Sequence, residues 1–129
     1  MIGYVGKIEA ETLANTDFRR VIFTGAHQQL VLMSLLPGEE IGMEVHETVD
    51  QFFRFESGQG KVIMNGEESL VTDGAGVIVP AGTNHNIINI SQTESLKLYT
   101  IYSPPNHPAG TIRHTKAEAD AVELAEHQH

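Results

Sequence analysis

The sequence contains no cysteine, so a disulfide, a cysteine-based zinc site and a thiol nucleophile are all excluded. Any metal bound by this chain must use histidine, carboxylate or amide ligands. Basic residues are also few, because eight lysines and arginines stand against 17 acidic residues and the formal net charge is -9. This charge repels phosphate backbones and anionic membrane surfaces. The sequence therefore predicts neither a nucleic-acid partner nor a membrane partner.

Long apolar runs are missing as well. No stretch approaches the roughly 20 apolar residues needed to cross a bilayer, and residues 1–10 lack the basic start and apolar core of a secretory signal. We therefore expect a soluble, cytoplasmic protein. The 129 residues are 40% hydrophobic, which is enough for one core. We predict a single domain over residues 1–129, with a barrel at about residues 20–103 and a C-terminal extension at residues 104–129.

The chain does contain many short runs of β-branched and aliphatic residues that are separated by turn residues. Such runs predict β-strands, here at residues 19–24, 29–36, 41–46, 51–56, 61–64, 69–71 and 97–102. Asn65-Gly66 predicts a two-residue hairpin turn. About ten short strands with frequent turns indicate an all-β sandwich or barrel, of which the double-sheet jelly roll is one form.

The two ends of the chain differ from this pattern. Residues 1–16 have scattered apolar positions, and we expect a short strand followed by a loop. Near the C-terminus, Thr115 and Glu118 are spaced as a capping box. Four further residues repeat at helical spacing, namely Ala117, Ala121, Leu124 and Ala125. These signals predict a short C-terminal helix.

The most informative stretch is residues 74–89, where two apolar runs are joined by Pro80, Ala81 and Gly82. Proline fixes one backbone angle and glycine suits a positive φ, so this is a tight turn between two strands. His85 then begins the second strand at a fixed place. A histidine held in this way is a candidate metal ligand.

Two motifs carry a resemblance to a known family. Every fixed position of the pattern G-x5-P-x-G-x2-H-x3-N is matched, by Gly74, Pro80, Gly82, His85 and Asn89. The chain thereby resembles the cupins in their second motif. Their first motif, G-x5-H-x-H-x3 or x4-E-x6-G, fits in its frame at Gly38, Glu44, His46, Gln51 and Gly58. The resemblance implies a double-stranded β-helix, the jelly-roll barrel of the cupins, here with a short C-terminal helix.

The resemblance further implies one divalent metal ion per chain, held by Glu44, His46, Gln51 and His85. Glu44 stands where the family has its first histidine, and Gln51 stands where it has a glutamate. The ligand set keeps one negative charge but exchanges one imidazole for oxygen. This exchange favours harder ions over copper and leaves zinc, manganese, iron and nickel open.

Asp50 is a rival of Gln51, because the family pattern permits three or four residues after His46. A carboxylate is the better ligand for a divalent ion. The motif, however, requires six residues between the ligand position and its closing glycine, and six residues separate Gln51 from Gly58. Neighbouring strand residues face opposite ways. We therefore predict that Gln51 faces inward, and that Asp50 and Arg54 face outward.

Four residues are candidates for substrate binding, namely Phe53, Phe55, Tyr99 and His107. The two phenylalanines share a strand face with the metal-ligand position. His107 follows the last barrel strand in a loop, and loops at a barrel mouth often carry function. Tyr99 and Tyr102 lie on opposite faces of their strand, so at most one of them points inward, and the sequence pattern leaves open which one.

The Glu44-x-His46 pair and the Tyr102-Ser-Pro-Pro ending resemble those of small cupins named mannose-6-phosphate isomerase-like. This implies a metal-dependent enzyme for a small, oxygenated, sugar-like substrate, with Glu44 as a candidate catalytic base. A phosphosugar is not supported, because the sequence places no arginine or lysine at the site. The alternatives are a non-haem iron(II) dioxygenase and a non-catalytic binding or sensing module with a structural metal. The resemblance also implies a homodimer, in which an N-terminal strand covers a partner's sheet edge.

Overall fold

Two antiparallel β-sheets contribute to one hydrophobic core. The computed structural model describes residues 2–127, and side chains as far as residue 122. The strands in this part of the chain are β1 Arg19–Thr24, β2 Gln29–Leu35, β3 Asp50–Ser57, β4 Gln59–Met64, β5 Glu67–Thr72, β6 Gly76–Val79, β7 His85–Asn89, β8 Leu96–Ser103 and β9 Ile112–Arg113. The helices are α1 Ile8–Ala14 and α2 Lys116–His127. The predicted all-β barrel with a C-terminal helix is confirmed.

The larger sheet has the strand order β6-β3-β8-β2-β1-β9, and the smaller sheet has the order β5-β4-β7. In the larger sheet Tyr102 pairs with Gln29 on one side and with Gln51 on the other, and Gln51 also pairs with Val79. Alternation then directs these side chains to one face. The register therefore forms a polar layer on the inner face, at one end of the sheet.

The core lies next to this polar layer. Strand β3 is buried at every second residue from Gln51, and β8 is buried at every second residue from Leu96. The smaller sheet adds Val62 and Ile87, both 0% exposed. A double layer of this kind buries the apolar face of both sheets, and the polar side chains at its end are held on a rigid support.

The N-terminal segment differs from the expectation, because residues 8–14 form helix α1 and not a strand. Glu9 and Glu11 lie in its first turn, where acidic side chains favour the helix dipole. Thr12 is buried and donates a hydrogen bond to the Ile8 carbonyl at 2.7 Å. The predicted N-terminal strand is therefore wrong, and the homodimer inferred from it stays a prediction.

Residues 41–46 also differ from the expectation. In place of a continuous strand, two isolated bridges join this part of the chain to β7, one at Glu44↔His85 and one just before the predicted strand at Glu40↔Ile88. Gly42 lies between the bridges with a positive φ of 106°, and this backbone conformation interrupts an extended ladder. The segment still runs beside β7.

The C-terminal region adds a strand and a helix. Strand β9 lies beyond the predicted barrel end near residue 103 and pairs with β1. The capping box is confirmed in part, since the Glu118 amide donates to the Thr115 hydroxyl at 3.1 Å. Helix α2 packs through Ala119, which is 1% exposed. Ala117 and Ala121 are exposed, and the side chains of Leu124 and Ala125 lie outside the described part. No helix described here is long and apolar enough to cross a membrane.

Candidate metal centre

Backbone pairing places Glu44 opposite His85. Each of these two residues donates its amide to the other's carbonyl, at 2.8 and 2.9 Å. His85 is the first residue of β7, as the sequence predicted. The pairing fixes the position of the segment that carries Glu44 and His46 against the strand that carries the second histidine.

The turn before β7 also contacts the His46 segment. The Thr83 amide donates to the Pro80 carbonyl at 3.2 Å, and the Gly82 amide donates to the His46 carbonyl at 2.8 Å. The predicted turn at residues 80–82 is therefore present, and it holds His46 in place through its backbone. Both histidines are thus positioned by main-chain hydrogen bonds.

Glu44, His46 and His85 form a cluster in which one ligand atom of each residue lies within 4.8 Å of the others. His46 Nε2 and Glu44 Oε2 are 3.2 Å apart. The side chains of His46 and Glu44 are 16% and 24% exposed, whereas His85 is 3% exposed. A small ligand in solvent can therefore reach the cluster from the His46 and Glu44 side.

The hydrogen bonding of His85 points to a definite tautomer. Its Nδ1 lies 3.0 Å from the Thr83 carbonyl oxygen, which can only accept, so Nδ1 carries the proton. Nε2 then has a free lone pair, and this atom is buried without a hydrogen-bond partner. A buried acceptor with no partner is costly, and a metal ion would satisfy it.

Gln51 shows a second atom of this kind. Its side chain is 2% exposed, and its Nε2 donates to the Thr100 hydroxyl at 3.0 Å. Its Oε1 is buried without a hydrogen-bond partner. Its neighbours on the inner face are Phe53 and Tyr102. The ring centroid of Phe53 lies 6.3 Å from that of His85, and the ring centroid of Tyr102 lies 6.0 Å from that of His46. Gln51 is therefore adjacent to two residues whose rings lie beside the cluster histidines.

The orientation of β3 is the one predicted. Asp50 is exposed, and its Oδ1 accepts a hydrogen bond from the Ala81 amide at 2.8 Å. Arg54 points outward as well, where it pairs with Glu56 at 2.6 Å. Gln51 faces inward and Asp50 faces outward, so this prediction is confirmed. The role of Gln51 as a metal ligand stays a prediction.

These donors fit a divalent metal ion. Protein ligands bind such ions at about 2.0–2.2 Å, so donors that share one ion lie within about 4.4 Å of each other. The cluster is within 4.8 Å and needs only a small contraction. The two donor atoms without partners, Gln51 Oε1 and His85 Nε2, add independent support. Two imidazoles, a carboxylate and an amide match the donor types that zinc, manganese, iron(II) and nickel accept.

Glu44 is held in its charged form. Burial acts to raise its pKa, but the hydrogen bond with His46 and the charges of His46, Arg19 and His85 outweigh burial. The net result lowers the pKa of Glu44 below its usual value. An ionised carboxylate at neutral pH is a good metal ligand, and its lowered basicity makes it a weaker general base.

A second group of polar side chains adjoins the cluster. The Tyr102 ring meets the His46 ring on one side and the His107 ring on the other, with the His107 centroid 5.2 Å away. His107 Nε2 lies 3.3 Å from the Tyr102 hydroxyl. Gln29, which is 0% exposed, accepts from the His107 amide at 3.0 Å and donates to its carbonyl at 2.7 Å. The loop that carries His107 is therefore fixed to the inner face of β2.

His107 is neutral in this environment. Burial is the largest cause of its shift, and the charges of Arg19, His46 and Arg113 act in the same direction against the opposite effect of Glu44. Together they lower the pKa of His107 to about 3. A neutral imidazole can donate from one nitrogen and accept at the other.

The other predicted substrate residues lie at different depths. Phe53 borders His85 and is 1% exposed, whereas Phe55 is 0% exposed and stacks on Phe53 inside the core. Tyr99 is on the outer face of β8, where its ring lies 6.3 Å from that of Phe52. The structure therefore does not bring Tyr99 to the site. Because β8 alternates, the tyrosine that faces inward is Tyr102.

Arg19 is a buried cation that sequence reasoning missed. It begins β1 on the inner face and is 3% exposed, and its charge acts on both Glu44 and His107. Its neighbour Arg20 is exposed. The sequence shows that Arg19 and Arg20 lie on opposite faces of β1. Both faces also carry an apolar residue, Val21 on one and Ile22 on the other. The pattern therefore could not decide which arginine points inward.

Comparisons with known proteins support the fold described above. Residues 31–102 match the family model described as "Cupin domain". The chain is 48% identical over 126 residues to the uncharacterized protein YrkC of Bacillus subtilis, covering 93% of this chain and 67% of that protein. Among solved structures it is similar to BH2720 from Bacillus halodurans, with a TM-score of 0.89 and 46% identity over 92% of this chain and 93% of the other. It is also similar to TT1209 from Thermus thermophilus, with a TM-score of 0.69 and 25% identity over 78% and 96%.

Proposed function

Because this chain belongs to the cupin domain family, we propose that it is a metal-dependent enzyme acting on a small oxygenated substrate. Glu44, His46, Gln51 and His85 hold one divalent ion in this proposal. The observation that carries it is the buried Nε2 of His85, which has no hydrogen-bond partner and lies in a cluster with an ionised carboxylate. A bound ion there supplies Lewis-acid polarisation of substrate oxygens.

The chain's own residues give the site its selectivity. His46 and Glu44 are partly exposed and form the side from which a ligand enters. Phe53 and Tyr102 are 1% and 2% exposed, and their rings lie beside those of His85 and His46. Buried rings next to the donors limit the access of water, and water exclusion strengthens electrostatic interactions at reacting atoms. His107 is neutral and can hydrogen-bond a hydroxyl or carbonyl oxygen of the substrate. These features support a polar, oxygen-rich small molecule over an apolar one.

The reaction class that we favour is isomerase-like, as in the cupins named mannose-6-phosphate isomerase-like. An aldose–ketose isomerase moves a proton between neighbouring carbons and needs a base beside the metal-bound substrate. Glu44 is the candidate for that base. Its lowered pKa supports the role of metal ligand more strongly than the role of base.

Metal content tests the site itself. Untagged wild-type protein should contain about one divalent ion per chain, and His85→Ala should contain almost none. The exposed His27 is the matched control, and His27→Ala should retain the full metal content. Equal metal content in wild type and His85→Ala would overturn the site. Elemental analysis provides the measurement and also identifies the ion.

Proton transfer tests the reaction class. Small hydroxy-aldehydes and hydroxy-ketones incubated in D2O with the loaded protein should gain deuterium at the carbon next to the carbonyl. Glu44→Gln should abolish this exchange if Glu44 is the base. Nuclear magnetic resonance detects the exchange. Exchange that is absent with each candidate ion would overturn the isomerase-like activity while leaving the metal site in place.

An iron(II) dioxygenase is the second candidate, because Glu44, His46 and His85 have the two-histidine, one-carboxylate composition of non-haem iron triads. Anaerobic reconstitution with iron(II), followed by addition of oxygen and a trial substrate, discriminates it. Substrate-dependent oxygen uptake would favour this reading over the isomerase. Without uptake or exchange, the remaining alternative is a non-catalytic binding or sensing module with a structural metal.

A homodimer and a cytoplasmic location remain predictions from the sequence. Strand β5 is an edge strand whose residues are mostly exposed, and Leu70 on it is 76% exposed. An exposed edge can pair with a second chain, which supports self-association. Light scattering at micromolar concentration should give the dimer mass, and a monomer mass would contradict the prediction.

A further inference from the structure

Two glutamines lie on either side of Tyr102 in the larger sheet. Gln29 on β2 and Gln51 on β3 both pair with Tyr102 on β8, and their side chains are buried, at 0% and 2% exposure. A side-chain amide has two donor hydrogens and two acceptor lone pairs. The amide oxygen of Gln51 has no hydrogen-bond partner, whereas Gln29 donates two hydrogen bonds and accepts two. The two glutamines therefore have different roles.

Three of the four hydrogen bonds of Gln29 go to the loop that carries His107. Its Oε1 accepts from the amides of Asn106 and His107, at 3.1 and 3.0 Å, and its Nε2 donates to the His107 carbonyl at 2.7 Å. The fourth bond goes from Nε2 to the Thr24 hydroxyl at 3.0 Å. Gln29 thus binds both backbone groups of His107, as a residue on a neighbouring β-strand would. These bonds fix the backbone of His107.

A glutamine is an unusual residue for this position in β2. The next residues on the inner face of the strand are Val31, Met33 and Leu35, each of which is 0% exposed in the core. An apolar side chain at position 29 would continue that face without a polar group to remove from water. The glutamine is tolerated because its hydrogen bonds are complete. What it adds beyond packing is one defined position for the loop.

The fixed backbone places the His107 side chain beside the proposed metal centre. Its Nε2 lies 3.3 Å from the Tyr102 hydroxyl, and the centroids of the two rings are 5.2 Å apart. The centroid of the Tyr102 ring lies in turn 6.0 Å from that of His46. His107 is partly exposed in this position. Direct contacts therefore lead from Gln29 through His107 and Tyr102 to a residue of the metal cluster.

We propose that Gln29 is a positioning residue, which holds the His107 imidazole as a fixed hydrogen-bonding group for the oxygenated substrate of the metal centre. This inference rests on the proposed metal-dependent function, because His107 needs a substrate at that centre to bind. A loop that is fixed before the substrate arrives loses less conformational freedom on binding. Removal of the Gln29 amide should therefore weaken substrate binding through His107 and leave metal binding unchanged.

Four variants test this role in zinc-loaded protein. Gln29→Leu removes all four hydrogen bonds with little change in side-chain size. Gln29→Glu keeps an acceptor for the two loop amides but cannot donate to the His107 carbonyl, so its effect should be intermediate. Thr24→Val removes only the bond that does not reach the loop, and it is the matched control. His107→Ala removes the imidazole itself.

Dihydroxyacetone, a neutral hydroxy-ketone, is the probe ligand, and nuclear magnetic resonance titration measures its affinity. Gln29→Leu should bind it about fivefold or more weakly than wild type, as expected for the loss of one well-placed hydrogen bond. Thr24→Val should stay close to wild type. In the His107→Ala background, Gln29→Leu should cause no further loss, because Gln29 acts through the imidazole. Zinc content should be the same in all of these proteins.

A second measurement needs no ligand. Nuclear Overhauser contacts between the rings of His107 and Tyr102 report the position of the imidazole. These contacts should be present in wild type and in Thr24→Val, and they should be weakened or lost in Gln29→Leu. Ring contacts that persist unchanged in Gln29→Leu would overturn the positioning role.

The outcomes separate the two proposals. Wild-type protein that binds no zinc would overturn the metal-dependent function. Full zinc content with an unchanged affinity in Gln29→Leu, or with an equal loss in the wild-type and His107→Ala backgrounds, would overturn only the positioning role, as expected if Gln29 merely stabilises the fold. Zinc-loaded wild type that does not bind dihydroxyacetone would contradict a hydroxy-ketone substrate, and the ring contacts then decide the role of Gln29. If Gln29→Leu does not fold, Gln29→Glu takes its place in both measurements, and unchanged affinity and ring contacts in that variant would also overturn the role.

Discussion

Gln51 donates a hydrogen bond from Nε2 to the Thr100 hydroxyl at 3.0 Å, and this bond leaves the amide oxygen of Gln51 buried without a partner. Thr100 is 0% exposed, on the neighbouring strand β8. In this orientation the amide oxygen, and not the nitrogen, is available to a metal ion. A neutral amide can act as a ligand only in this orientation, because its nitrogen has no lone pair to give.

The first prediction follows from this arrangement. Gln51→Ala should weaken zinc binding by about 10-fold or more, since it removes an oxygen ligand. Gln51→Glu should bind zinc more tightly than wild type, because it adds a charge at the same position. Titration calorimetry measures all three affinities.

Asp50 provides the control for this prediction. It is adjacent to Gln51 but exposed, and its Oδ1 accepts from the Ala81 amide. Asp50→Ala should leave zinc affinity close to that of wild type, with at most a small loss of stability at the turn. A greater loss of affinity in Asp50→Ala than in Gln51→Ala would contradict the assignment of the ligand.

A chelator provides the second prediction. An ion that binds only the folded state stabilises it by mass action, by about 2.7 kcal/mol at a concentration 100 times Kd. For a domain of this size, removal of that ion should lower Tm by about 10 °C. His85→Ala should show almost no shift on addition of chelator. Differential scanning calorimetry with equal shifts in the two proteins would refute the coupling between metal and stability.

Much of the fold could be predicted from the sequence because its signals are local. Turn residues separate short β-branched runs, and a capping box precedes α2. The inward face of β3 could also be predicted, because the distance from Gln51 to Gly58 fixed the register of the ligand position. These features depend on residues that are close together in the chain.

The rest of the site could not be predicted, for a physical reason. Alternation along a strand divides its residues into two faces, but it does not say which face is inside when both carry apolar residues. This ambiguity hid Arg19 on β1 and left Tyr99 and Tyr102 undecided on β8. The inner face is set by contacts with strands distant in sequence, such as the pairing of Tyr102 with Gln29 and Gln51. Helix α1 was missed because seven residues are too few to show a helical period.

The third prediction concerns Gly58, which joins β3 to β4. Its φ is +101°, and a Cβ at this position would lie 2.6 Å from the Ser95 carbonyl oxygen and 3.0 Å from the Leu96 Cα. Backbone cannot move aside easily at these distances. Gly58→Ala should therefore lose more than about 3 kcal/mol of unfolding free energy, from strain and overlap together.

Gly66 separates the two contributions. Its φ is also positive, at +84°, but nothing lies within 4 Å of a Cβ placed there. Gly66→Ala should lose only about 1–2 kcal/mol for the left-handed backbone conformation. Urea unfolding of the metal-free proteins gives both values. Equal losses at the two positions would show that the close approach at Gly58 relaxes at no cost.

The fourth prediction concerns the pH dependence of stability and the ion pair between His114 and Asp17. Their closest atoms are 2.7 Å apart, and the pair joins the segment before β1 to the segment after β9. The hydrogen bond with Asp17 raises the pKa of His114 above its usual value of 6.5. The same bond is the largest cause that lowers the pKa of Asp17 below its usual value of 3.8, against the effect of burial.

The direction of the pH effect follows from these shifts. The folded state holds the His114 proton more tightly than the unfolded state, so this stabilisation is full below pH 6.5 and is lost as pH rises through the raised pKa. For Asp17 the stabilisation is present above pH 3.8 and is lost as pH falls through the lowered pKa. The pair is therefore fully effective only between these two pH values.

His114→Gln should reduce Tm by more at pH 5.5 than at pH 8.5, in chelator so that metal binding does not contribute. The His114 side chain is 70% exposed, so the difference should be small and should shrink in 0.5 M salt, because salt screens exposed charges. His27→Gln, at an exposed histidine, is the control and should not reproduce the pattern. A loss of Tm in His114→Gln that is the same at both pH values would mean that the His114 side chain contributes through packing and not through its charge.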